Sequence, residues 1–176
     1  MALDSENVLV AYTGAVYVGP TTATAPTASD STTTGFTDLG FINSDGVKES
    51  INKTVQSIKA WQNGATVRTV VSEAEYSIQF TLIETKLEVL ELYYGVDVTA
   101  GVIDGNPSAT GGRKSFIIDA IDGLNIERTY IPAGEVTAVG ERVLASSEPL
   151  GYEITITAYA DSSGVTFQKF ISSLEV

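Results

Sequence analysis

One stretch of this chain is spaced for a helix. Residues 86–94 place Leu87, Val89, Leu90, Leu92, Tyr93 and Tyr94 over well over half of a helical circumference, and Glu88 and Glu91 share a narrow stripe with Glu84, just before the stretch. Thr85 and Glu88 form a capping-box pattern at its start, and Gly95 supplies the stop. Just before it, residues 76–83 alternate, with Tyr76, Ile78, Phe80 and Leu82 on one face and Ser77, Gln79 and Thr81 on the other, the period of a half-buried strand. Everything else reads as strand, turn or loop. The expected fold class is therefore mainly β: an antiparallel β-sandwich or partly closed barrel with one short flanking α-helix. A helix this short is marginal alone, and its apolar face is wider than one sheet needs. Its own sheet and another subunit are the surfaces expected to cover it, the alternative being burial inside a monomer core.

The rest of the chain divides at its turn signals. Residues 8–18 are apolar and β-branched around Thr13-Gly14, a broken strand or a tight pair, ended by Pro20. Residues 20–37 are rich in Thr and Ala without periodicity, longer than the ~12–15 residues a compact domain usually leaves structureless. They are either a flexible surface loop or an arm that orders against a neighbouring subunit. A short strand is expected over 38–42, with a turn at Asp45-Gly46. Residues 54–61 and 66–72 flank Asn63-Gly64, a strong hairpin signal, although neither face of the pair is a clean core face. With Asn63-Gly64 as a two-residue loop, Lys59 would face Arg68, an unfavourable pairing unless an acidic partner intervenes. Residues 96–114 form a second extended loop rich in Gly, Asp, Asn and Pro. Strands over 115–121 and 125–131 flank Asp122-Gly123. Pro132 and Gly134 break the chain, a strand over 135–145 carries a bulge near Gly140, and 153–159 pairs with 165–171 as a last hairpin. No internal repeat is evident, and residues 1–176 read as a single domain.

Composition closes off whole classes of chemistry. With neither Cys nor His, the chain has no disulfide, no thiolate or Ser-His nucleophile and no common zinc site. Ten basic against 22 acidic residues leave a formal charge of −12, which argues against tight binding of nucleic acid phosphates. Residues 1–6 show no basic and apolar leader, and no apolar run reaches the ~18 residues of a membrane span. The remaining motifs have structural explanations. Asp122 belongs to its turn, and Glu73 and Glu75 to a solvated strand start. Gly111-Gly-Arg-Lys-Ser115 lacks the helix N-terminus that a phosphate cradle requires. The Asp-rich turns show no EF-hand spacing. No catalytic, cofactor-binding or metal-binding residues emerge, and no enzyme is expected.

The order Thr13-Gly-Ala-Val-Tyr-Val-Gly-Pro20, Phe36-Thr-Asp-Leu-Gly-Phe-Ile-Asn-Ser-Asp-Gly-Val47, Ile58-Lys-Ala-Trp61, Arg68-Thr-Val70, and then Phe80-Thr-Leu-Ile-Glu-Thr85 through Leu92-Tyr-Tyr-Gly95 resembles the major tail tube proteins of long-tailed, non-contractile bacteriophages, in the type found in phages of actinobacteria. The resemblance spans nearly the whole chain and rests on the order and spacing of short motifs. It implies a structural virion protein, assembled in the host cytoplasm, forming hexameric rings that stack into a hollow tube for genome delivery. It also implies contacts with the tape measure protein, the tail terminator and tail-tip proteins, and DNA that transits the lumen without specific binding. The added immunoglobulin-like C-terminal domain of some relatives is not expected here. Lys59, Trp61, Asn63, Gly64, Arg68, Leu87, Leu90 and Tyr94 are the residues expected to serve self-assembly, with Glu84, Glu88 and Glu91 of a neighbour as partners for Lys59 and Arg68. The alternatives are the tube protein of a related contractile injection or secretion machine, and a β-sandwich module recognising a surface or carbohydrate.

Overall fold

Strand alternation sets the framework. The computed structural model describes residues 8–147 and 149–174; the stretch inspected for a leader, residues 1–6, lies outside them. The elements are β1 (Thr13–Gly19), β2 (Thr37–Asp38), β3 (Ile42–Lys59), β4 (Thr66–Leu82), α1 (Leu87–Tyr94), β5 (Val98–Thr99), β6 (Val102–Ile103), β7 (Lys114–Asp122), β8 (Asn125–Val139), β9 (Tyr152–Ala158) and β10 (Gln168–Ile171). One antiparallel sheet runs in the order β2-β1-β7-β8-β9-β4-β3, with β10 beside β8, and β5 and β6 form a small separate pair. The sheet does not close into a barrel.

The long strand β8 folds this sheet onto itself. Its first half lies between β7 and β10, whereas from Gly134 onward it pairs with β9. Pro132 stands at the changeover, where the register against β7 shifts, and its carbonyl accepts a hydrogen bond from the Ser115 hydroxyl at 2.8 Å. A residue without an N–H is tolerated at such an irregularity. At Gly134 a Cβ would come within 2.8 Å of both Ile156 Cγ2 and the Phe116 ring, so the two halves leave no room there for a side chain. Between them lies one core, with Val16, Phe116, Ile118 and Ile131 on one side, Tyr76, Ile78, Phe80, Ile154 and Ile156 on the other, and Val89 and Leu92 of α1 capping it. Each such fully buried large side chain contributes about 1.5–3 kcal/mol.

Several local expectations change. Thr85 does not cap α1: the N-cap position is Lys86, without a side-chain cap bond, and the Thr85 hydroxyl is instead 3.0 Å from that of Tyr152. Gly95 does end the helix, in a left-handed conformation (φ 67°). The β7–β8 turn centres on Gly123-Leu124, with Asp122 opposite Asn125. Pro132 and Gly134 lie within β8 rather than breaking it; the strand ends at Val139 and its bulge falls between Val136 and Ala138 rather than near Gly140, whose N–H donates to the Glu153 carbonyl. β9 and β10 are not a hairpin. β9 is taken by β4 and β8, and β10 by the first half of β8.

Candidate assembly surface

β4 pairs with β9 only over residues 76–82; beyond Tyr76, β3 and β4 pair with each other alone. Residues 52–75 thus project as a two-stranded ribbon, a unit that is marginal in water without further cover. Ile51 at its root and Val55, Ile58, Val67 and Val71 along it are all exposed, and Trp61 at its tip is 96% exposed. Two register shifts set Val55 opposite Val71, Ile58 opposite Arg68 and Lys59 opposite Thr66, so the expected Lys59–Arg68 opposition does not occur. The cause is the turn: Ala60 N–H donates to the Ala65 carbonyl at 2.7 Å, which makes residues 61–64 a four-residue loop whose last two members, Asn63 and Gly64, have positive φ (57° and 62°). Residues 53–72 contain Lys53, Lys59 and Arg68 and no acid. None of the three belongs to an ion pair among the described residues.

The helix is better satisfied. Val89 and Leu92 are buried, Leu90 and Tyr93 pack against the core, and Leu87 remains half exposed. Tyr93 donates to the Gly140 carbonyl at 2.7 Å, and Arg142 donates to the Tyr94 and Tyr152 hydroxyls at 3.1 and 3.0 Å. Burial raises the Tyr93 pKa above its ordinary value. Glu84 accepts from the Phe41 amide and pairs with Lys86 at 2.9 Å; the hydrogen bond from Lys86 holds its carboxyl below the ordinary range. Between α1, the loop over 105–110 and the end of β8 lies a groove of about 520 Å³. Leu92, Tyr93, Tyr94, Pro107, Val136 and Val139 are among the residues that line it.

The Thr-rich loop is fastened to its own sheet. On the outer face of the β1-β7-β8 half, Arg128 makes a two-pronged pair with Asp119, both bonds 2.7 Å and both side chains 6% exposed. Its remaining nitrogen, Nη1, donates to the Ser31 carbonyl, while Phe36 packs edge-on against Tyr130 at 6.4 Å. The hydrogen bond to Asp119 raises the Arg128 pKa further. Among the described residues no group of three or more acidic side chains is placed to hold a metal ion, and no helix is long and apolar enough to cross a membrane.

Residues 1–174 match the family model for the phage tail tube protein. The chain belongs to the phage tail tube protein family. No curated protein matches it in sequence. Among solved structures it is similar to a chain of the PVC sheath-tube complex of an extracellular contractile injection system in its extended state, with 12% identity, TM-score 0.55, and 95% of this chain covering 93% of that one. It is also similar to a chain of the anti-feeding prophage tube-terminating cap, with 11% identity, TM-score 0.51, and 96% covering 98%. At such identities these likenesses concern the fold.

In this tail tube protein the residues expected for self-assembly fall into two groups. Lys59, Trp61, Asn63, Gly64 and Arg68 gather at the free end of the ribbon, and Leu87, Leu90 and Tyr94 sit on α1. Of the neighbour carboxylates expected to meet Lys59 and Arg68, Glu84 is already held by Lys86 within its own chain. Sequence reading missed Ile51, Val55 and Val71 as bare apolar side chains. Their signal was present in the hairpin's lack of a clean core face, but without the full length of β3 and β4 it could not be told from an irregular strand. As a phage tail tube protein the chain is a structural component of the virion tail.

Proposed function

We propose that this protein closes into six-membered rings that stack into the tail tube, and that its role is architectural rather than catalytic. One observation carries the reading: a chain of the tail tube family leaves a long ribbon with apolar side chains and cations uncovered on both faces. Contact between copies removes that surface from water and gives the unpaired edge of β3 a neighbour. Six copies would carry six times the −12 of one chain, and an acidic conduit repels phosphates, so that DNA passes without being held. The Thr-rich loop and the Asn63-Gly64 end of the ribbon lie at contacts between subunits or rings. The tape measure protein, the tail terminator and tail-tip proteins meet the tube along its bore and at its ends.

Electron microscopy of concentrated purified protein tests the reading, with rings or tubes as the expected result. A monodisperse monomer at every concentration would overturn it. Replacing Lys59→Glu is expected to weaken assembly, as is rising salt, because the ribbon's exposed cations then lose their acidic partners. Tubes that form equally well at every ionic strength would remove the charge-pairing part.

A further inference from the structure

We propose that the groove between α1 and the end of β8 receives the ribbon tip of a second copy, with Trp61 as the inserted side chain. This rests on the tube reading above and names the partner surface that reading leaves open. One surface offers a protruding aromatic side chain and the other an apolar recess. Trp61 is the most exposed large aromatic side chain of the ribbon, held out on a four-residue loop. The groove, about 520 Å³, is lined by Leu92, Val136 and Val139 together with Tyr93, Tyr94 and Pro107, surfaces against which an indole packs well. The Ser108 hydroxyl at its rim offers an acceptor for the indole N–H.

Charge separates the two surfaces further. The outer ribbon, residues 53–72, holds three cations and no acid. Each of the three segments lining the groove is preceded by an acid, Glu91 before Leu92, Asp104 before Gly105 and Glu135 before Val136. From 87 to 112 there are four acids and no base. Of the cations close to it in the chain or in contacts, Arg142 is already held by the Tyr94 and Tyr152 hydroxyls, and Arg113 lies over the Tyr159 ring at 4.5 Å. The ribbon's cations therefore meet their opposite charge at the groove of another copy, and the buried indole with its basic rim has the composition of an interface hot spot.

Trp61 is the chain's single tryptophan, so its fluorescence reports this contact directly. Its emission is expected to shift to the blue when wild-type protein passes from monomer to tube. Trp61→Ala and Val139→Arg, both at exposed positions, are expected to retain the monomer's circular dichroism and raise the critical concentration for assembly at least about tenfold. The double variant is expected to be no worse than the more affected single one, because both remove one contact. In this cysteine-free chain, Gln62→Cys with Ser108→Cys is expected to give disulfide-linked ladders from assembled tubes. Tubes whose Trp61 emission is unchanged, strictly additive variants, or an absent ladder would overturn the groove as receptor while leaving the tube intact. A wild-type chain that never assembles would instead defeat the tube reading itself.

Discussion

The β7–β8 and β3–β4 hairpins are both long antiparallel ladders, and they meet opposite fates. In β7 the successive residues Phe116 and Ile117 are both buried, because one face looks into the core and the other lies beneath the Thr-rich loop. In β3 and β4 the ladder is longer, with register shifts along it, yet beyond Tyr76 neither face is covered. A ladder of backbone hydrogen bonds does not by itself bury side chains. The difference is that β7–β8 finds its second layer within the chain, whereas β3–β4 leaves its second layer to another molecule.

The comparison can be broken most severely in the covered hairpin. Arg128→Met leaves Asp119 buried without its partner and detaches the Ser31 carbonyl; a loss of about 3–5 kcal/mol is expected in chemical denaturation. A loss below about 1 kcal/mol would mean that the loop is not what seals this face. Gly95→Ala comes next. It places a Cβ against the Ala109 carbonyl in a left-handed backbone conformation, and more than about 1 kcal/mol of stability should go, read from the thermal midpoint.

A smaller effect is expected where the bare ribbon joins the body. Lys169 of β10 pairs with Glu127 of β8 and with Glu49 of β3, fastening the ribbon's root. Burial pulls its pKa down, but the hydrogen bonds to Glu127 and Glu49 outweigh this and hold it above the ordinary 10.5. The contribution is thus complete below pH 10.5 and disappears as the pH rises through the higher folded value. Solvent screening keeps it below about 1 kcal/mol. Lys169→Met should abolish this alkaline decline in a pH series of denaturation curves. Smallest of all in stability, Val55→Thr with Val71→Thr should change the isolated chain by no more than about 0.5 kcal/mol, since nothing covers either side chain. The same pair should raise the concentration needed for assembly, measured by light scattering. A large stability loss would show that the ribbon is covered in the single copy after all.

Most of the strands were legible because alternation and turn residues are local signals. Tyr76, Ile78, Phe80 and Leu82 face the core as their period requires, and Gly95 ends the only α-helix among the described residues. The surplus apolar surface was misplaced. It looked greatest on α1, where Val89, Leu92 and Tyr93 turn out to be used internally, and it lies mainly on a ribbon whose pattern looked merely irregular.

The sequence by itself determined the β character of the chain, its acidity, the absence of cysteine and histidine chemistry, and the place of the helix, all of which follow from residue types and short spacings. Only the tertiary structure decided that β8 would change partners at Pro132, that β10 would join β8 rather than β9, that the Thr-rich loop would bind Arg128, and that β3 and β4 would run on beyond the end of β9. Those outcomes depend on contacts between segments far apart in the chain. Several strands with compatible faces compete for the same edge, and the pairing that buries the most side chains around Phe116, Gly134 and Ile156 prevails.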